Sequence, residues 1–133
     1  MTTKEAILCV DDEAIIVFAM KQELKRHYGG RFVYETALDA EEALEIIDDL
    51  VGQGIEVVVV ISDWLMPGMK GDEFLIRVHD KYPQIGLIMV TGQADDGAIE
   101  RAIQQAKIST CLKKPWRSQD LIAAIDDILQ KAS

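Results

Sequence analysis

The chain has 133 residues, one domain's worth, and 49% of them are hydrophobic, so it needs no disulfide framework or structural metal to fold. Its 23 acidic against 14 basic residues give a formal charge of −9 at pH 7, which repels DNA and anionic membranes and favours partners presenting basic groups. No apolar stretch approaches the length of a bilayer span, and residues 1–5 lack a secretory signal's pattern.

Ala6-Ile7-Leu8-Cys9-Val10 is a first apolar run, followed by Asp11 and Asp12. A helical stretch then runs from Glu13 to about Tyr28, with Ile16, Ala19, Met20 and Leu24 sharing a face. Gly29-Gly30 ends it, since glycine takes the left-handed C′ conformation without steric cost. Phe32-Val33-Tyr34 belongs to a second strand. Asp39 can cap the next helix, with Glu42 completing a capping-box spacing and Ala43, Leu44, Ile47 and Leu50 forming its apolar stripe. Gly52 and Gly54 break that helix. Val57-Val58-Val59-Val60-Ile61, continuously apolar and β-branched, has the character of a central strand covered on both faces.

A polar turn, residues 62–71, holds Asp63, Pro67 and two glycines, and a third helix covers about 72–82 until Pro83 ends it. Residues 85–90 are a fourth strand and Thr91-Gly92-Gln93 a loop. Asp95 or Asp96 starts a helix bearing Ile99 and Ile103. Residues 108–112 form a short fifth strand. After Lys113-Lys114-Pro115-Trp116, Ser118 caps a last helix with Leu121, Ile122, Ile125, Ile128 and Leu129 on one side. Five strands each followed by a helix imply an α/β fold, a parallel sheet with helices on both faces. With no repeat or linker, residues 1–133 are expected to form a single domain. Cys9 and Cys111 sit in apolar runs and read as core thiols of a reduced, cytoplasmic protein.

In a parallel open sheet the loops after the strands share one edge, where ligands bind. Asp11 and Asp12 follow strand one, Asp63 strand three, Thr91 strand four and Lys114 strand five, so five polar groups converge on one rim. Singly each has a bland reading: an Asp pair before a helix caps it, Thr-Gly is a turn, and a lysine is a solvated surface group. Together they suit one chemistry. Three crowded carboxylates repel one another by up to roughly 4 kcal/mol per contact at an effective dielectric of 20, and a hard divalent cation such as Mg²⁺ relieves that repulsion. No His or Cys joins them, which argues against zinc. One carboxylate can attack a phosphoryl donor, while the lysine ammonium and threonine hydroxyl hold the transferred oxygens.

Val10-Asp11-Asp12-Glu13, Ile61-Ser62-Asp63-Trp64-Leu65-Met66-Pro67-Gly68-Met69-Lys70-Gly71, Thr91-Gly92 and Lys114-Pro115-Trp116 resemble the receiver domains of two-component response regulators, in order and spacing, over nearly the whole chain. The resemblance implies the flavodoxin-like (βα)5 fold with strand order 2-1-3-4-5 and a single receiver domain over 1–133. It implies Asp63 as phosphoacceptor, with Mg²⁺ held by Asp12, Asp63 and the Leu65 backbone carbonyl, and by Asp11 through water. Thr91 and Lys114 would contact the phosphoryl group, Thr91 as the moving switch residue, and Pro115 would follow a cis peptide bond. The implied donor is a sensor histidine kinase or a histidine phosphotransfer protein. An output domain or downstream protein would read the result, with no nucleic-acid or membrane contact by this domain and no turnover enzyme activity beyond assisting its own phosphorylation and dephosphorylation.

One position departs from the family. Cys111 stands at the switch position where receivers usually carry Tyr or Phe, which puts the usual aromatic readout in doubt. A hypothesis follows that signalling depends on Thr91 and on rearrangement of loop 92–97. Leu65 and Gln93 are the positions that would tune hydrolysis of the phosphoryl group, and Trp64 and Trp116 are either surface decoration or partner contacts. Rival readings are weaker. A phosphatase with an aspartate nucleophile needs a second acid where Leu65 stands, and a flavin carrier needs a phosphate cradle where Asp11 and Asp12 stand. A receiver that only binds proteins would not need every phosphorylation residue in place. At about 4.8 Å per strand step, the strands of Cys9 and Cys111 lie roughly 14 Å apart, beyond disulfide reach.

Overall fold

The computed structural model describes residues 4–66, 68–92 and 96–132, so Pro67 and residues 93–95, with Gln93, Asp95 and half of the loop 92–97, lie outside the described residues. The apolar runs become five parallel strands: β1 (Glu5–Val10), β2 (Val33–Ala37), β3 (Glu56–Asp63), β4 (Gly86–Thr91) and β5 (Thr110–Lys113). They lie in the order β2-β1-β3-β4-β5, as the family resemblance implied. Between and after them run α1 (Ala14–Tyr28), α2 (Ala40–Gly52), α3 (Gly71–Lys81), α4 (Asp96–Gln105) and α5 (Ser118–Ala132). Among the described residues no helix is long and apolar enough to cross a membrane.

The sheet divides the core into two layers. Ala6, Leu8, Val10, Val60, Leu87 and Met89 face Ala43 and Ile47 of α2 and Phe74, Leu75 and Val78 of α3. Ile7, Cys9, Ile61, Ile88 and Val90 face Val17, Met20 and Leu24 of α1 and Leu121, Ile125 and Ile128 of α5. Strict alternation breaks once. The β1–β3 register shifts between Ala6 and Ile7, which pair with Val57 and Val59, so Val58 is an extra residue. Val58 and Val59 then both join the α1–α5 layer.

Several local expectations need amending. The buried stripe of α1 is Val17, Met20 and Leu24; Ala19 is exposed and Ile16 only half-buried. Gly29 closes α1 at φ 60, ψ −135, a positive φ outside the left-handed helical region. Asp39 accepts the Glu42 amide at 2.8 Å, but the Glu42 carboxylate reaches one residue further back, to the Leu38 amide at 2.8 Å. Ser118 lies inside the first turn of α5, where the Arg117 carbonyl accepts the amide of Leu121. Ile103 is 49% exposed although Ile99 is half-buried, because α4 packs chiefly on α3. Tyr28 Oη ties α1 to α5 by donating to Asp126 at 2.6 Å, and Trp116 Nε1, just before α5, donates to Glu23 of α1 at 2.9 Å. Trp116 is therefore held in place, not surface decoration.

Both cysteines are free, and they differ in setting. Cys9 is 1% exposed on the α1–α5 side, and burial pushes its thiol up to about 12. Cys111 is half-buried against the opposite layer, and β3 and β4 stand between their strands. A thiol-reactive probe added to the native protein should label Cys111 and leave Cys9 untouched until denaturant is added. Rapid labelling of both, or an intramolecular disulfide on oxidation, would contradict the packing.

Candidate functional site

Each rim residue arrives at the carboxyl end of the sheet because its strand ends there. Asp63 and Thr91 are the last residues of β3 and β4, Asp11 and Asp12 follow β1, and Lys114 follows β5. β3 and β4 are paired through Asp63 and Val90, and β4 and β5 through Thr91 and Lys113. Asp11, Asp63 and Thr91 are buried while Asp12 is exposed. Carboxylate oxygens of Asp11, Asp12 and Asp63 lie within 4.8 Å of one another. They form an all-oxygen donor set that fits Mg²⁺, with Asp12 open to solvent for the waters this ion retains. It is a candidate Mg²⁺ site.

Lys114 is the counter-charge. Its Nζ donates to Asp11 Oδ2 at 2.7 Å and lies 3.4 Å from Asp63 Oδ2. Asp11 Oδ1 also accepts the Glu13 amide at 2.9 Å, a turn just before α1, but the N-cap of that helix is Glu13 with no side-chain cap, so Asp11 serves the cluster and does not cap the helix. Burial raises the Asp63 pKa above the ordinary carboxylate range and the charge of Asp11 adds to this, while Lys114 and a backbone hydrogen bond from Leu65 pull it down. For Lys114, burial works to lower the pKa, but the hydrogen bond to Asp11 and the charge of Asp63 win and raise it. A cleft lined by Asp12, Glu13, Asp63, Leu65, Met66, Gly92 and Lys114 opens over the cluster. The Lys114–Pro115 peptide bond is cis, as the resemblance implied.

Cys111 is not brought to this cleft; it packs against the α2–α3 core layer from β5. Leu65 lies over the cleft, 49% exposed. Trp64 is half-buried against the core with Lys70 Nζ 5.5 Å from its ring centroid, so it too is more than decoration. Its Nε1 is buried without a hydrogen-bond partner, a cost of about 1–3 kcal/mol beside the site.

Two features escaped the sequence reading. Gly71 is a close-approach glycine: a Cβ there would fall 2.1 Å from the Asp63 carbonyl oxygen and 2.6 Å from Trp64 Cα, while its amide donates to the Trp64 carbonyl at 2.7 Å. The glycine was visible in the motif but not its reason. Asp72, read only as a helix start, is 4% exposed and pairs with Arg101 of α4. An acid in a helix's first turn carries no signal of burial.

The comparisons agree with this geometry. Residues 7–126 match the model of the response regulator receiver domain. The chain belongs to that family. It is 30% identical over 129 residues to the chemotaxis protein CheY homolog of Campylobacter jejuni, covering 96% of this chain and 94% of that one. It is also 32% identical over 126 residues to the hydrogenase transcriptional regulatory protein HoxA of Cupriavidus necator, covering 94% of this chain but only 24% of that protein. Among solved structures, the receiver domain of an HD domain-containing protein from Pseudomonas fluorescens superposes with TM-score 0.85 at 32% identity, covering 97% of each chain. A CheY-like receiver from Methanospirillum hungatei gives TM-score 0.85 at 29% identity, covering 98% of this chain and 97% of that one.

The receiver's Gly71 yields a direct test. Gly71→Ala should lower the unfolding free energy by about 2 kcal/mol or more in urea denaturation, because the new methyl meets backbone that cannot swing aside. An unchanged midpoint would mean that the loop from Trp64 to Gly71 is not tied to Asp63 as described.

Proposed function

We propose that the chain is one receiver unit in which Asp63 takes a phosphoryl group from a phosphohistidine of a sensor kinase or phosphotransfer protein. The observation that carries this is the convergence of Asp11, Asp12 and Asp63 within 4.8 Å beside Lys114, at the ends of strands far apart in sequence. Asp12, Asp63 and the Leu65 carbonyl would hold Mg²⁺, with Asp11 reaching it through water. The bound ion would offset charge on the entering phosphoryl oxygens.

An Asp63 carboxylate oxygen attacks phosphorus in line, the P–N bond to the donor imidazole breaks, and its electron pair stays on the departing nitrogen. Lys114, already 3.4 Å from Asp63, turns to a phosphoryl oxygen, and the Thr91 hydroxyl donates to another. Ile15 and Phe18, 81% and 63% exposed and three residues apart on α1, the helix that follows Asp12 in the chain, would give the donor protein an apolar footing. Free cysteines support a reducing, cytoplasmic setting. Leu65, where a phosphatase would need its second acid, supports acceptance over turnover. Output passes to a partner or a further domain through Thr91 and the loop 92–97, because Cys111, at the switch position, lacks the aromatic ring that would make the usual second move.

Incubation with acetyl phosphate and Mg²⁺ should add one acid-stable, base-labile phosphoryl group by mass, and Asp63→Asn should gain none. A phosphorylated Asp63→Asn protein would place the acceptor elsewhere.

A further inference from the structure

Asp72 occupies the first turn of α3 with 4% exposure, a rare place for a charge on a surface helix. The positive end of the helix dipole favours it there. Its ion-pair partner comes from the neighbouring helix: Arg101 Nη1 lies 3.6 Å from Asp72 Oδ2. The two side chains are unequal, Arg101 being 54% exposed and Asp72 only 6%. The guanidinium already meets water, while the carboxylate is held out of it. α4 packs chiefly on α3 among the described residues, so this pair crosses its principal contact.

Both ends of the pair are tied to the phosphoryl site. Asp72 follows Gly71, whose backbone abuts the Asp63 carbonyl. Arg101 belongs to the helix that begins five residues after Thr91, beyond cleft-lining Gly92. The chain itself runs from Thr91 and Gly92 to α4, and the ion pair ties α4 to α3 and so to the turn after Asp63. We propose that Asp72–Arg101 is a latch that holds α4 in the resting arrangement and thereby restrains phosphoryl capture at Asp63. This rests on the receiver reading and names a regulatory element within it. By linkage, weakening a contact made mainly in the resting state favours the state that binds the phosphoryl group.

The test measures beryllofluoride affinity with Mg²⁺ present, and deuterium exchange of α4 amides without either, in the wild-type chain, Arg101→Gln, Asp72→Asn and the double variant. Arg101→Gln changes a half-exposed side chain and keeps an amide donor there, and Asp72→Asn removes the buried charge itself. Each single variant should bind beryllofluoride about fivefold more tightly. The double variant should gain no more than the better single one, and residues 96–105 should exchange faster while the strands do not. Equal or weaker affinity in the variants, with a wild-type chain that binds normally, overturns the latch and leaves the receiver reading intact. A wild-type chain that does not bind beryllofluoride overturns the receiver reading, and the latch with it.

Discussion

Like charges held together are the constraint on which this molecule's function turns. Asp11 and Asp63 are buried with oxygens within 4.8 Å, a repulsion on the order of 3 kcal/mol at an effective dielectric near 20. One ammonium, Lys114, faces both and offsets part of it. The upward displacement of the Asp63 pKa, from burial first and Asp11 second, is the signature of what remains uncompensated. A carboxyl that titrates higher folded than unfolded makes its ionised form a burden on the fold, relieved as pH falls through the folded pKa. A divalent cation relieves it at neutral pH. Affinity for Mg²⁺ and readiness to take up phosphate chemistry thus share one origin.

The fold sustains that burden because the rim residues are extensions of the strongest part of the core. β3 is buried from Val57 to Asp63, and its neighbours β1 and β4 bring Asp11 and Thr91 by strand register. Gly71 then pins the turn after Asp63 by backbone contact instead of by side chains. α4 lies at the other extreme, resting mainly on α3 with Ile103 half exposed. A rigid site joined to one loosely held helix is an arrangement that turns a local charge change into a movement.

Much of this was legible in the residues. The β-branched run at 57–61 marked the central strand, Gly52 and Gly54 marked the end of α2, and the order of Asp11, Asp12, Asp63, Thr91 and Lys114 placed them on one rim. What was not legible depends on three-dimensional contact. Val58 is indistinguishable from its neighbours in sequence, and only the shifted β1–β3 register reveals the bulge. Ala19 follows the helical period but faces solvent, because Val17, Met20 and Leu24 already fill the space under α1. Asp72 has the composition of an ordinary helix start; its burial and its pairing with Arg101 of α4 are contacts that no local pattern announces.

The central claim is that the ionised cluster strains the metal-free fold and that Mg²⁺ relieves the strain. Melting temperature against Mg²⁺, for the wild-type chain and Asp63→Asn, tests it directly. Mg²⁺ should stabilise the wild-type chain, by about 2.7 kcal/mol at a hundredfold excess over its Kd. Asp63→Asn removes a repelling charge while leaving Lys114 on Asp11, so it should melt higher than wild type without metal and respond less to Mg²⁺. A variant that melts lower than wild type without metal, or a wild-type chain indifferent to Mg²⁺, would contradict the account.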